Sequence, residues 1–145
     1  MKTLRNSTML ISYLLGVVAL LYGFGEVIVL YMLPGSIVPY VTGSGLPTFG
    51  LWFFLVVLIL GGSAGLLIGI SIWLRRVPAL RITALVVTLL AAIASIIDLV
   101  PATLNPLGII WIDVLFIAMF VCHSLYVWID EYGLSKKPGT DYGYK

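Results

Sequence analysis

Long apolar runs, separated by short stretches rich in proline, glycine or charge, dominate the hydrophobic pattern of this chain. Each run has about 20 residues or more, which at about 1.5 Å per residue is enough for a helix to cross about 30 Å of hydrocarbon. Strands of a membrane β-barrel would be shorter and would alternate in polarity. The pattern therefore predicts an all-α integral membrane protein, a four-transmembrane-helix bundle in a single domain 1–145. The predicted spans are about 8–33, about 50–74, about 79–100 and about 107–129.

The composition agrees with a bilayer as the solvent of this chain. Of the residues, 61% are hydrophobic and 10% are charged, whereas a soluble domain is about 45–50% apolar and about 25% charged. The first run follows a basic start, as in a signal peptide, but it is too long and lacks a small-residue cleavage site. We therefore expect it to be retained as a membrane helix. The polar tail 133–145 is expected to be flexible and cytoplasmic.

Basic residues all fall on one side of the predicted membrane. Because short loops rich in lysine and arginine stay in the cytoplasm, they predict a multi-pass cell-membrane protein with both termini cytoplasmic (N-in/C-in). The net charge of +2 is small, so nucleic acid is not an expected partner, and the lipid bilayer is. The basic residues are Lys2, Arg5, Arg75, Arg76, Arg81, Lys136, Lys137 and Lys145.

Small residues recur on one face of the first and third segments. Two explanations stay open: an internal duplication that yields two parallel helical-hairpin repeats, or the frequent use of small residues where membrane helices pack. Under either explanation these faces point into the bundle. The first stripe is Ser12, Gly16, Ala19, Gly23 and Glu26, and the second, offset by 72 throughout, is Ala84, Thr88, Ala91, Ser95 and Asp98.

Glycines also recur in the second segment, at Gly61, Gly65 and Gly69. In lipid, close van der Waals packing must supply helix association, and glycine lets two backbones approach closely. We expect these glycines to pack helices within the bundle or between protomers. Positions such as Leu58 and Ile93 are expected to face outward.

Three carboxylates, Glu26, Asp98 and Asp113, lie inside the predicted spans. A carboxylate at mid-bilayer costs roughly 2.5–3.5 kcal/mol, and less near the interface. Counted along the helices, all three lie within about 3–11 Å of the outer boundary. We therefore expect them to form an intramembrane acidic cluster there. A wet interface for Asp98 and the helix dipole for Asp113 are simpler explanations. Glu26 could instead accept a hydrogen bond from Tyr22 or Ser95.

His123 is the single histidine and lies half-way along the fourth segment. One histidine cannot supply both axial ligands of a bis-histidine haem, so a haem or copper site would need ligands from another subunit. A neutral imidazole that hydrogen-bonds to a neighbouring helix is the simpler explanation. Metals and cofactors stay undetermined at this stage.

No motif of nucleophilic, phosphate-binding or metal-dependent catalysis occurs in the sequence, so an enzyme is the less favoured class. The leading hypothesis is a small non-catalytic accessory subunit, partnered by other membrane subunits or by copies of itself. A second is a proton- or cation-coupled carrier that uses the acidic cluster. A third is a quinone- or haem-associated redox subunit that uses His123.

The charge pattern predicts the topology of reporter fusions. Green fluorescent protein fused after Lys145, or inserted between Arg76 and Arg81, should fluoresce, because both sites are expected in the cytoplasm. Alkaline phosphatase inserted at Gly43–Gly45 should be active, because that loop is expected outside. Phosphatase activity from the C-terminal fusion would contradict the four-span topology.

Overall fold

The computed structural model describes residues 2–33, 48–99 and 110–135. The two predicted loops on the side without basic residues, and the tail beyond residue 135, lie outside the described residues. No strand occurs in the described part of the chain. Helix α1 spans Lys2–Val27 and continues as a π-helical turn, Ile28–Met32; α2 spans Thr48–Trp73, α3 spans Pro78–Leu99 and α4 spans Ile110–Ser135.

Each of the four helices is long and apolar enough to cross a membrane. This confirms the predicted all-α fold and the presence of four membrane spans, and it supports a multi-pass membrane protein. Helix α1 begins ahead of its apolar run, and α4 continues past Ile129 to Ser135. Both extensions lie beyond the apolar runs, where helical structure can continue into a polar environment. The predicted tail therefore begins inside a helix.

A tight turn joins α2 to α3. The amide of Leu74 still donates to Ile70 at 2.8 Å, and the amide of Val77 donates to Leu74 at 3.0 Å. Pro78 opens α3, where its missing N–H costs nothing and its fixed φ suits the first helical position. The turn holds α2 and α3 antiparallel and places two arginines, Arg75 and Arg76, at one end of the bundle.

The helices form a ring in which α1 and α3 each pack against both α2 and α4. Neighbouring helices are antiparallel, since the start of α1 meets the end of α4 at the Arg5–Asp130 ion pair. Across the ring, α2 and α4 meet where the ring of Phe116 lies against Gly61. We call one end of the bundle the basic end, which carries Arg5, Arg75, Arg76, Arg81 and Asp130, and the other the acidic end, which carries Asp98 and Asp113.

The two small-residue stripes are the buried faces of α1 and α3. Every member is buried except Glu26, which is half-buried. The stripes therefore point into the bundle, as both explanations for their shared spacing predict. The buried members are Ser12, Gly16, Ala19 and Gly23 in α1, and Ala84, Thr88, Ala91, Ser95 and Asp98 in α3.

Glycines bring the backbones of α1 and α2 into direct contact. A Cβ atom on Gly65 would overlap the carbonyl oxygen of Gly16, and one on Gly23 would lie 2.7 Å from the amide nitrogen of Gly62. A Cβ on Gly61 would overlap the ring of Phe116. Gly69 differs, because the nearest atom to its Cβ position is a ring carbon 4.0 Å away. The close contact therefore ends between Gly65 and Gly69.

The expected lipid-facing positions are only half right. Ile93 is exposed on the bundle surface, but Leu58 is completely buried. Its carbonyl oxygen lies 2.8 Å from the Cβ position of Gly23. Helix α2 is apolar on all sides, so its pattern contains no signal for direction, and contact with α1 buries Leu58 on the inner face.

The glycine contact predicts that a single methyl group at Gly65 destabilises the bundle. Gly65→Ala should lower the free energy of unfolding by about 1–3 kcal/mol, as overpacking of a close contact does. Gly25→Ala is the matched control, because no atom lies within 4 Å of its Cβ position. It should be neutral or stabilise the helix by about 0.5–1 kcal/mol. Unfolding of the purified protein in detergent, followed by circular dichroism, compares the two. Equal stability would contradict the described contact.

Candidate functional site

Two aspartates meet at the acidic end of the bundle. Asp98 comes from the last turn of α3 and Asp113 from the first turn of α4, and both side chains are fully buried. Their carboxyl groups lie next to each other, with the Ser95 side chain beside Asp113. Tyr31, in the π-helical turn after α1, lies near Asp98. We call Asp98 and Asp113 the acidic pair.

Helix geometry places these groups together. Ser95 and Asp98 are three residues apart on the inward face of α3, and that spacing puts two side chains on the same side of a helix. Asp113 lies in the first turn of α4, where the helix dipole favours a negative charge. Antiparallel packing of α3 on α4 then brings the end of one helix level with the start of the other.

The polar neighbours of the acidic pair include Ser95 and the two carboxyl groups themselves. None of the four carboxyl oxygens, nor the hydroxyl oxygen of Ser95, forms a hydrogen bond of ordinary geometry with a described residue. No ion pair with Asp98 or Asp113 is formed by the described residues either. Two ionised carboxylates in such surroundings would repel each other and would both lack solvation. A proton or a cation shared by the pair would relieve both costs.

Glu26 differs from the acidic pair in its burial. It is half-buried, and within the described ranges no hydrogen bond or ion pair joins it to Asp98 or Asp113. The inward positions near this end of α1 are Gly23 and Val27, so Glu26 lies at the edge of the buried face.

Tyr22, one turn before Glu26, packs on α4. Its ring lies edge-on against Trp111, with ring centroids 4.7 Å apart and an interplanar angle of 84°. This contact joins α1 to the first turn of α4, close to Asp113. Tyr22 thus contributes to the packing of α1 on α4 at the acidic end.

His123 is completely buried and connects α4 to α1. Its Nδ1 atom lies 3.0 Å from the hydroxyl oxygen of Ser12, and which atom donates depends on the imidazole tautomer. The rings of His123 and Tyr126 are 6.1 Å apart. The Nε2 atom of His123 and the hydroxyl of Tyr126 are buried and have no hydrogen-bond partner in the described segments.

A charge cluster at the basic end joins three helices. Arg81 of α3 donates to Asp130 of α4 at 2.5 Å, and Arg5 of α1 lies 3.7 Å from the other carboxyl oxygen. The Asp130 side chain is only 5% exposed. In the sequence these arginines indicate topology, and Asp130 directly follows the predicted fourth span, about 107–129. The missed signal is the spacing of His123, Tyr126 and Asp130, which places them on one face of α4.

The donor set limits what this part of the chain can hold. No group of three histidine, cysteine, aspartate or glutamate side chains within the described ranges is placed to bind a metal ion. Cys122 is a half-buried free thiol. Comparison with protein-family models, with curated proteins and with solved structures finds no match to this chain. The geometry of the acidic pair and of the basic end is therefore what bears on function.

The charge cluster predicts an asymmetric effect of removing two neighbouring carboxylates. Asp130→Asn should lower the free energy of unfolding by roughly 3 kcal/mol, because it leaves the largely buried Arg81 guanidinium without a counter-charge. Glu131→Gln should change stability by less than about 0.5 kcal/mol, since this side chain is exposed and makes no ion pair within the described residues. Denaturation in detergent measures both. Equal losses would mean that the ion pair does not hold the helices together.

Proposed function

We propose that this chain is a proton- or cation-coupled carrier whose ion-binding site is the acidic pair Asp98 and Asp113. We further propose that it lies in the cell membrane with its basic end and both termini in the cytoplasm. The acidic pair would then lie near the outer surface. The positions of the eight basic residues support this orientation.

The observation that carries the proposal is the complete burial of two adjacent carboxyl groups that have no counter-charge among the described residues. A wet interface for Asp98 would require exposure, and this side chain is fully buried. The helix dipole favours a charge on Asp113, which lies in the first turn of α4, but it gives Asp98 no counter-charge. Ionisable residues inside a membrane span are costly and usually mark ion or proton pathways. Reversible binding of a proton or cation would neutralise the pair and so explain why two carboxyl groups are buried together.

The packed residues between the acidic pair and the basic end favour a carrier over an open pore. Phe116 and Met119, the next inward residues on α4, are fully buried and apolar. The Phe116 ring fills the hollow at Gly61 on the opposite helix. Beyond them, toward the basic end, lie His123 and its partner Ser12. An ion at the acidic pair is thus separated from the basic end by packed side chains, as alternating access requires.

An accessory subunit is the second candidate function. It is favoured by the scarcity of structure outside the spans, since the described residues comprise four long helices, a π-helical turn and a short connection. Its partners would be other membrane subunits or copies of this chain. A redox subunit has less support, because His123 is enclosed in the bundle and its Nδ1 is engaged by Ser12.

Transport in proteoliposomes tests the carrier. The purified protein, reconstituted with a pH-sensitive dye inside the vesicles, should dissipate an imposed proton or sodium gradient. Asp98→Asn and Asp113→Asn should each reduce the rate by at least about tenfold, because an amide keeps the shape of the carboxyl group but cannot take up a proton. Glu131→Gln, an exposed carboxylate at the opposite end, should leave the rate unchanged.

Infrared titration of the carboxyl C=O band gives a readout that does not depend on transport. The band should change with pH or sodium in the wild type and be lost in the Asp98→Asn/Asp113→Asn double variant. Wild-type transport by both single variants would contradict the proposal. An inactive wild type that co-purifies with stoichiometric membrane proteins would favour the accessory subunit instead.

A further inference from the structure

A groove of about 620 Å³ lies between α1 and α2 at the basic end. One wall comes from Met9, Tyr13 and Val17 of α1, and the floor includes Gly69 of α2. Arg75 and Trp73 lie at the end of the groove where α2 stops. Its volume falls in the range of about 300–1,000 Å³ that is typical of small-molecule sites.

The groove exists because the two helices separate below their glycine contact. At Gly65 the α2 backbone touches Gly16, whereas at Gly69, one turn on, the ring of Tyr13 is the nearest neighbour, 4.0 Å from the Cβ position. Gly69 has no side chain to fill the space that opens there. An apolar trench therefore runs from the glycine contact to the basic end.

The charges around this end are not equally matched. Arg5 and Arg81 share the carboxylate of Asp130. Arg75 and Arg76 make no ion pair with any described residue, and both are exposed. Only Arg75 borders the groove. An apolar trench that ends in an unmatched guanidinium suits a molecule with an apolar chain and a negative head.

Position at the membrane boundary supports the same conclusion. Trp73 is 86% exposed beside Arg75, and indole side chains favour the headgroup level of a bilayer. The guanidinium therefore lies where lipid phosphates lie. Arginine binds phosphate oxygens through two parallel hydrogen bonds, and basic sites between helices at this level select anionic headgroups.

We propose that this groove binds an anionic phospholipid, with one acyl chain over Gly69 and the phosphate on Arg75. A transmembrane helix fits less well. Such a helix would need a strip of small residues for close backbone approach. Gly65 is already covered by Gly16, which leaves Gly69 alone.

Native mass spectrometry of the purified protein with added phosphatidylglycerol or phosphatidylcholine tests this site. Wild type should bind phosphatidylglycerol at least about fivefold more tightly, because a basic residue attracts a net anionic head by about 1 kcal/mol, whereas the choline cation cancels the phosphate charge of phosphatidylcholine. Arg75→Gln should abolish the preference, and Arg76→Gln, the adjacent exposed arginine outside the groove, should retain it. Gly69→Phe should weaken binding of phosphatidylglycerol by filling the trench. Unchanged melting temperatures of the variants show that each one is folded.

Three results would overturn the proposal. Equal binding of the two lipids would show that the net negative charge of the head is not recognised. Equal losses in Arg75→Gln and Arg76→Gln would indicate diffuse attraction to basic residues. Disulfide-linked dimers of Gly69→Cys in a Cys122→Ser background, formed in native membranes, would show a second copy of the chain in the groove. None of these results depends on ion transport, so the lipid-site proposal is tested separately from the carrier proposal.

Discussion

Direct contact between the backbones of α1 and α2 is the constraint on which the rest of this bundle depends. Lipid supplies no hydrophobic drive between helices, so association depends on how closely they pack. Gly16 against Gly65 and Gly23 against Gly62 bring the two helices together. That approach buries Leu58 of α2. The hollow at Gly61, also on α2, receives the ring of Phe116 from α4, across the ring of helices. Where the glycine contact ends, the helices part and a groove opens.

The buried charged groups lie at the two ends of the bundle, above and below the apolar centre. At the basic end, Asp130 is matched by two arginines from two other helices, so its burial is compensated. At the acidic end, Asp98 and Asp113 have no such match within the described chain. The contrast separates a charge cluster that holds helices together from a carboxyl pair whose cost needs another explanation. That difference is the basis of our proposal that the acidic end binds an ion.

The number of helices and the inward faces of α1 and α3 could be predicted from the sequence, because a span and a small-residue face are both local properties of one segment. Apolar length identifies a span, and small residues at steps of three and four identify its packed side. Positions on α2 could not be oriented, since an all-apolar helix has no polar side, and Leu58 was misplaced for that reason. The Arg81–Asp130 pair joins residues 49 positions apart. It depends on the relative height and rotation of two helices, which no single segment encodes.

The Phe116 ring against Gly61 has a consequence for the electrical behaviour of this protein. In the described part of the chain, packed apolar side chains occupy the centre of the bundle between Asp113 and His123. Passage of an ion would wait for the ring or a helix to move, and collective helix motions take about microseconds to milliseconds. Flux would then occur in discrete turnovers. If the chain is a charge-moving carrier as proposed, a voltage-clamped membrane containing it would show a smooth macroscopic current without unitary conductance steps.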